Sequence, residues 1–129
     1  MLLVDDDFSC RVLLQTFLSP YGECHAAVNG SEAVEAFRAA LDQGREYDLV
    51  CMDFLMPKMN GREAVLQIRA LERAQAIPPS QGAKIFMTTS VAEVRQVIQS
   101  LAEHCDAYLM KPIDLGQLRG QLKLYELLP

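Results

Sequence analysis

With 129 residues, half of them apolar and 22% charged, the chain has the make-up of one globular domain with a core of its own. A net charge of -5 with no basic run argues against a nucleic-acid-binding face. No apolar stretch is long enough to span a bilayer, and the opening "MLLV" runs at once into three acids, which excludes a signal-peptide core.

In chain order, Leu2 to Val4 reads as a short buried strand. Cys10, Leu13, Leu14, Phe17 and Leu18 recur at helical spacing, and Ser19-Pro20 stops that helix before a Tyr21-Gly22 turn. Asp7, just ahead of it, suits an N-cap. Glu23 to Val28 is weakly strand-like, and Asn29-Gly30-Ser31 supplies a turn and a cap for the stripe Ala33, Val34, Phe37, Leu41, with Gly44 placed to end it. Leu49 to Met52 is a third strand. Pro57 and Asn60-Gly61 turn the chain into a third helix marked by Val65, Ile68 and Leu71. Ala76 to Ala83, "AIPPSQGA", is a loop on composition. Ile85 to Thr88 is the fourth strand, Val94, Val97, Ile98 and Leu101 mark the fourth helix, and Ala107 to Met110 is the fifth strand. Lys111-Pro112 breaks that strand, Asp114 can cap, and Leu115, Leu118, Leu122 and Tyr125 form the last stripe.

Strand and helix thus alternate five times, and the strands are continuously apolar, as when helices cover both faces of a parallel sheet. The expected fold is α/β: a single doubly wound five-stranded parallel sheet with five helices, forming one domain over residues 1–129. The cysteines, Cys10, Cys24, Cys51 and Cys105, are scattered without a C-x-x-C pair. They read as reduced core thiols and favour a cytoplasmic location.

In doubly wound sheets the functional site lies at the carboxyl ends of the strands. Asp5, Asp6 and Asp7 follow the first strand, Asp53 the third, Thr89 and Ser90 the fourth, and Lys111-Pro112 the fifth. Each has a bland explanation alone, a turn, a cap or a loop start; their convergence at one rim makes a site. Like charges at ~4 Å repel by about 4 kcal/mol at an effective dielectric near 20, so these carboxylates need a cation. A hard ion with oxygen ligands, such as Mg²⁺, suits them, and Lys111 adds a second positive charge. A metal, an ammonium and a hydroxyl around one carboxylate are what a phosphoryl group requires, and Asp can accept phosphate as an acyl phosphate. The remote histidines, His25 and His104, are given no role there; His104 falls at a helix end.

Four motifs carry a resemblance over essentially the whole chain: "LVDDD" (Leu3 to Asp7), "DLVCMDFLMPKMNG" (Asp48 to Gly61), "MTTS" (Met87 to Ser90) and "YLMKPI" (Tyr108 to Ile113). Together, in this order, they make the chain similar to two-component response-regulator receiver domains, which are CheY-like and have the flavodoxin-like (βα)5 fold. The resemblance implies that Asp53 is the phosphoacceptor, supplied by a sensor histidine kinase or phosphotransfer protein. It implies that Asp6 binds Mg²⁺ directly, Asp5 mainly through water, and that the Leu55 backbone carbonyl and Asp53 complete the metal's protein ligands. Lys111 would contact the phosphoryl oxygens, Thr89 would swing in to bond them, and Tyr108 would rotate inward behind it. The Lys111–Pro112 bond would be cis. The alternative for Tyr108 is a core aromatic with its hydroxyl in water.

Two positions usually tune hydrolysis of the acyl phosphate in such domains, and here they hold Leu55 and Val91. Neither can orient a water molecule, so slow self-dephosphorylation is expected. Ser90 stands where Ala or Gly is commoner, "AIPPSQGA" is longer than typical, and the first strand is short. The surface of the fourth helix, fifth strand and fifth helix, the family's usual partner or dimer face, carries Gln96, Gln99, Ser100, Gln117 and Gln121. A monomer, or a weak phosphorylation-dependent dimer, acting on a downstream protein partner is expected, as a free-standing unit or as part of a longer protein.

The main competing reading is an Asp-nucleophile phosphohydrolase of the haloacid dehalogenase type. Such enzymes want a second Asp two residues after the nucleophile, where this chain has Leu55. A receiver-like domain that has lost its acceptor is opposed by the intact Asp5, Asp6, Asp53 and Lys111. A flavin-binding relative is opposed by the acidic turn after the first strand.

Overall fold

Apolar strands too short to stand alone need neighbours on both edges and helices on both faces. The computed structural model, which describes every residue except Pro57 and Pro129, provides both. Five strands, β1 (Leu2–Val4), β2 (His25–Ala27), β3 (Leu49–Asp53), β4 (Lys84–Thr89) and β5 (Ala107–Met110), alternate with helices α1 (Phe8–Leu18), α2 (Gly30–Asp42), α3 (Gly61–Ala74), α4 (Val94–Leu101) and α5 (Leu115–Leu124). The strands pair in parallel in the order β2-β1-β3-β4-β5. This is the expected doubly wound, flavodoxin-like sheet. The turn role expected of Pro57 lies outside the described residues.

The two-residue period of the strands divides the core into two layers. Leu2, Val4, Val50, Met52, Ile85 and Met87 pack with Phe37 of α2, Val65 and Ile68 of α3, and Val97 and Leu101 of α4. Leu3, Leu49, Cys51, Phe86 and Leu109 point the other way, onto Leu14 and Leu18 of α1 and Leu118 and Leu122 of α5. Each fully buried side chain of this size contributes about 1.5–3 kcal/mol of transfer free energy. Side-chain caps start four of the helices: Asp7, Asn29, Asn60 and Asp114 each accept a backbone N–H from the first turn they precede. Gly44, at φ +69, ends α2 in the left-handed conformation that glycine adopts without a Cβ penalty.

Several local expectations are corrected. Strand β2 is limited to His25–Ala27, because only Leu2 to Val4 offer it a paired edge. Strand β4 runs from Lys84 through Thr89, since β3 and β5 extend its ladder at both ends. Leu13 and Ile98 face outward on their helices instead of joining the core. Tyr125 caps α5, lies against Phe86, and donates its hydroxyl to the Asp106 carbonyl at 2.7 Å. Residues 76–83 are more than a plain loop: a short 3₁₀ turn spans Pro79–Gln81, and Glu72 Oε2 accepts the Ala83 N–H at 2.7 Å.

Candidate functional site

Topology locates the site before any side chain is considered. From β1 the chain passes to the edge strand β2 and then returns to β3. Helix α1, after β1, packs on one face, and α3, after β3, packs on the other. The chain therefore parts at the carboxyl ends of β1 and β3 and leaves a crevice there.

Asp5 follows β1 and is fully buried. Its Oδ1 accepts the Asp7 N–H at 2.9 Å, and its carbonyl accepts from the Arg11 guanidinium at 2.6 Å. Asp6 is exposed, and Asp53, the last residue of β3, is buried. Oxygen atoms from Asp5, Asp6 and Asp53 all lie within 4.8 Å of one another. Lys111 reaches in from the end of β5, with Nζ 2.8 Å from Asp5 Oδ2 and 3.2 Å from Asp53 Oδ1. Its backbone N–H donates to the Thr89 carbonyl at 2.7 Å, which ties the lysine to the end of β4. The Lys111–Pro112 peptide bond is cis.

After β3 the chain folds back tightly against the strand end. The Gly61 N–H donates to the Phe54 carbonyl at 2.8 Å, and a Cβ on Gly61 would stand 2.3 Å from the Asp53 carbonyl oxygen. Only glycine permits α3 to start this close to the strand end.

The electrostatics report a shortage of positive charge. Burial, reinforced by Asp5, raises the Asp53 carboxyl to about 7, although Lys111 opposes this. Burial would also raise Asp5, but the hydrogen bonds from Lys111, the Asp7 N–H and Cys10 outweigh it and leave Asp5 lowered. Burial would lower Lys111, yet its bond to Asp5 and the charges of both acids leave it raised. One ammonium thus holds Asp5 ionised and leaves Asp53 undercompensated. An all-oxygen set of three carboxylates with unmet negative charge fits a hard divalent cation.

The remaining expected residues are placed as follows. Thr89 is buried at the end of β4, with its hydroxyl 3.4 Å from the Ser90 carbonyl. Tyr108 is the second residue of β5, opposite Met87 of β4. It packs against the core, and its hydroxyl is buried without a hydrogen-bond partner. Leu55 lies two residues beyond β3 with its side chain 60% exposed.

Other participants escaped the sequence reading. Cys10 packs against the core as a free thiol, and it also lies beside Asp5: burial followed by the Asp5 hydrogen bond pushes it up to about 12. Helical spacing put Cys10 on the inward face but could not show that this face meets the acid. The five strand ends also share an apolar rim. Phe8, Val28, Leu55, Val91 and Met110, which end or follow the five strands in turn, are all exposed. The α4-β5-α5 surface is less polar than its glutamines imply, because Ile98, Met110 and Leu124 are exposed on it.

The chain is similar to known proteins. The family profile described as "Response regulator receiver domain" matches residues 1–123. The chain is 33% identical over 125 residues to the transcriptional regulatory protein ZraR of Escherichia coli K12, covering 95% of this chain and 25% of that protein. It is 33% identical over 128 residues to the hybrid signal transduction histidine kinase G of Dictyostelium discoideum, covering 97% of this chain and 3% of that protein. The chain therefore spans only a small part of these curated relatives. Among solved structures, the receiver domain of Saccharomyces cerevisiae Ssk1, crystallised with the histidine phosphotransfer protein Ypd1, superposes with a TM-score of 0.77 at 28% identity, covering 96% of this chain and 86% of that one. The receiver domain of the Arabidopsis thaliana histidine kinase CKI1 gives 0.76 at 27% identity, covering 97% of this chain and 87% of that one. With the acids and lysine gathered at the carboxyl edge of a 2-1-3-4-5 sheet and the family profile running along nearly the whole chain, the protein belongs to the response regulator receiver-domain family.

Proposed function

We infer that Asp53 is the phosphoacceptor of this domain. The supporting observation is its position: a buried carboxylate at the end of β3, 3.2 Å from Lys111 and within 4.8 Å of the other two acids. The phosphodonor is a phosphohistidine on a sensor kinase or phosphotransfer protein. A bond forms from an Asp53 Oδ to phosphorus, the phosphorus–nitrogen bond breaks, and the imidazole leaves with a proton. Lys111 binds the phosphoryl oxygens and, while the site is free, keeps Asp5 ionised.

Asp6 and Asp53 would hold Mg²⁺ directly, Asp5 through water, and the Leu55 carbonyl would complete the protein ligands. When bound, Mg²⁺ would supply positive charge against the phosphoryl oxygens and would favour the Asp53 carboxylate anion. The exposed apolar rim of Phe8, Val28, Leu55, Val91 and Met110 supports docking of a donor protein over the acids. A protein surface with an apolar ring around a polar centre excludes water from the reacting groups as it docks.

Thr89 is the hydroxyl recruited by the new phosphoryl group, and Tyr108 follows it. A poorly bonded Thr89 hydroxyl and an unpartnered Tyr108 hydroxyl are groups that a second arrangement can satisfy better. The domain is thus a switch that assists its own phosphorylation and slow dephosphorylation, and the altered α4-β5-α5 face acts on a downstream protein or a second copy. The phosphohydrolase alternative is set aside by the family match, and Leu55, apolar and exposed, supplies no acid to protonate a leaving group.

The test is incubation with Mg²⁺ and a small phosphodonor, followed by intact mass. The expected outcome is one added phosphoryl group in the wild type and none in Asp53→Asn. A mass gain that survives Asp53→Asn would refute the assignment.

A further inference from the structure

Residues 90–93, Ser-Val-Ala-Glu, have the S-x-x-E form of a helix capping box. In that motif the Ser hydroxyl takes the Glu N–H and the Glu carboxylate reaches back to the Ser N–H. The chain does not adopt this arrangement. Ser90 Oγ donates instead to Glu93 Oε1. The Glu93 and Val94 N–H groups both go to the Ser90 carbonyl, each at 3.1 Å. The residues between form a turn, and α4 begins only at Val94 without a side-chain cap. The other four α-helices described all have one.

Three polar groups around this turn are poorly satisfied. Glu93 Oε2 is buried without a partner, and so is the Tyr108 hydroxyl, in the core layer that holds Val97 and Leu101 of α4. The Thr89 hydroxyl, one residue before Ser90, has its 3.4 Å contact to the Ser90 carbonyl, well beyond the roughly 2.7–2.8 Å of a good O–H···O bond. Buried polar atoms are rarely left unpaired, so these groups mark a segment that a second arrangement can satisfy better.

We propose that Ser90 and Glu93 are positioning residues that latch the connection between β4 and α4 in a resting state. The proposal rests on the reading of Thr89 as the hydroxyl recruited by a phosphoryl group on Asp53. Ser90 follows Thr89 through one peptide bond, so movement of Thr89 pulls the Ser90 hydroxyl away from Glu93. Once that bond is broken, the connection between β4 and α4 is free to follow Thr89. The side-chain pair therefore opposes the switched state, and its strength sets how far phosphorylation shifts the population.

The test titrates the full 129-residue chain with beryllofluoride in Mg²⁺ and reads binding at Asp53 together with thermal stability. Ser90→Ala and Glu93→Ala should each raise the apparent affinity about three- to tenfold, as expected for removal of a partly exposed bond to a charged group that favours the unbound state. The double variant should gain no more than either single one, because both remove the same contact. Glu93→Gln, which keeps an acceptor for the Ser90 hydroxyl, should stay close to wild type. If the pair only stabilises the fold, the alanine variants will lose stability and bind beryllofluoride no more tightly, and the latch is overturned. Wild-type binding with unchanged variants also overturns the latch alone. A wild type that binds no beryllofluoride overturns the acceptor-site reading and the latch with it.

Discussion

Leu55 and Val91 stand two residues beyond Asp53 and Thr89, with exposures of 60% and 70%. Neither side chain can hold a water in line with an acyl phosphate on Asp53, so hydrolysis lacks a positioned nucleophile. Leu55→Asn combined with Val91→Glu introduces an amide and a carboxylate at those points. The double variant should lose its phosphoryl group about tenfold faster than the wild type, read from the decay of the phosphorylated mass after the donor is removed. Equal decay rates would show that these positions do not limit hydrolysis here. Both residues were legible in sequence as offsets from the acceptor and the threonine. Their exposure, and hence their place in an apolar rim, was not, because periodicity cannot distinguish an apolar residue at a loop tip from one in the core.

At the scale of elements, one arginine ties α3 to the amino ends of β4 and β5. Arg69 on α3 donates to the His104 carbonyl at 2.9 Å, the Ala83 carbonyl at 2.8 Å, Glu72 Oε1 at 2.8 Å and Asp106 Oδ2 at 3.2 Å. It thereby joins α3 to the entries of β4 and β5 and to the connection that follows α4. Glu72 is buried beside Gly82, where a Cβ would stand 2.7 Å from its carboxylate. Arg69→Met strands that acid and Asp106, and should cost about 3–5 kcal/mol in urea denaturation. Glu72→Gln keeps an acceptor for the Ala83 N–H and should cost less. The stripe Val65, Ile68, Leu71 correctly gave the inner face of α3, but a helical pattern in isolation treats Glu72 as solvated. Its burial comes from residues 79–83 folding over it, a contact between segments that local sequence does not encode.

For the molecule as a whole, the clustered acids are a cost to stability. The Asp53 carboxyl is raised from 3.8 to about 7, so over that interval the folded state binds more protons than the unfolded one. Stability then falls as pH rises through the interval, and the contribution is fully present only below it. In a chelator, Asp53→Asn should be more stable than the wild type at pH 8 by on the order of 1–4 kcal/mol, and the difference should vanish near pH 4. Mg²⁺ at pH 8 should stabilise the wild type more than the variant, by mass action on the folded state. Parallel denaturation curves at all pH values, with and without Mg²⁺, would contradict this account. Among the described residues no helix is long and apolar enough to cross a membrane.

The alternation of continuous apolar runs with amphipathic stretches determined the fold, because a parallel sheet must be covered on both faces and each face selects its own side-chain period. The same pattern identified the strand ends, and with them Asp5, Asp6, Asp53, Thr89 and Lys111, since their chemistry is placed at residues that immediately follow buried strands. Tertiary structure decided what those residues do to one another. Lys111 approaches Asp5 more closely than Asp53. Burial raises Asp53, Cys10 lies beside Asp5, and Ser90 bonds Glu93 while α4 starts without a side-chain cap. Those outcomes depend on distances between segments far apart in the chain and on the low dielectric of their surroundings, which exist only after the sheet has brought its carboxyl edge together.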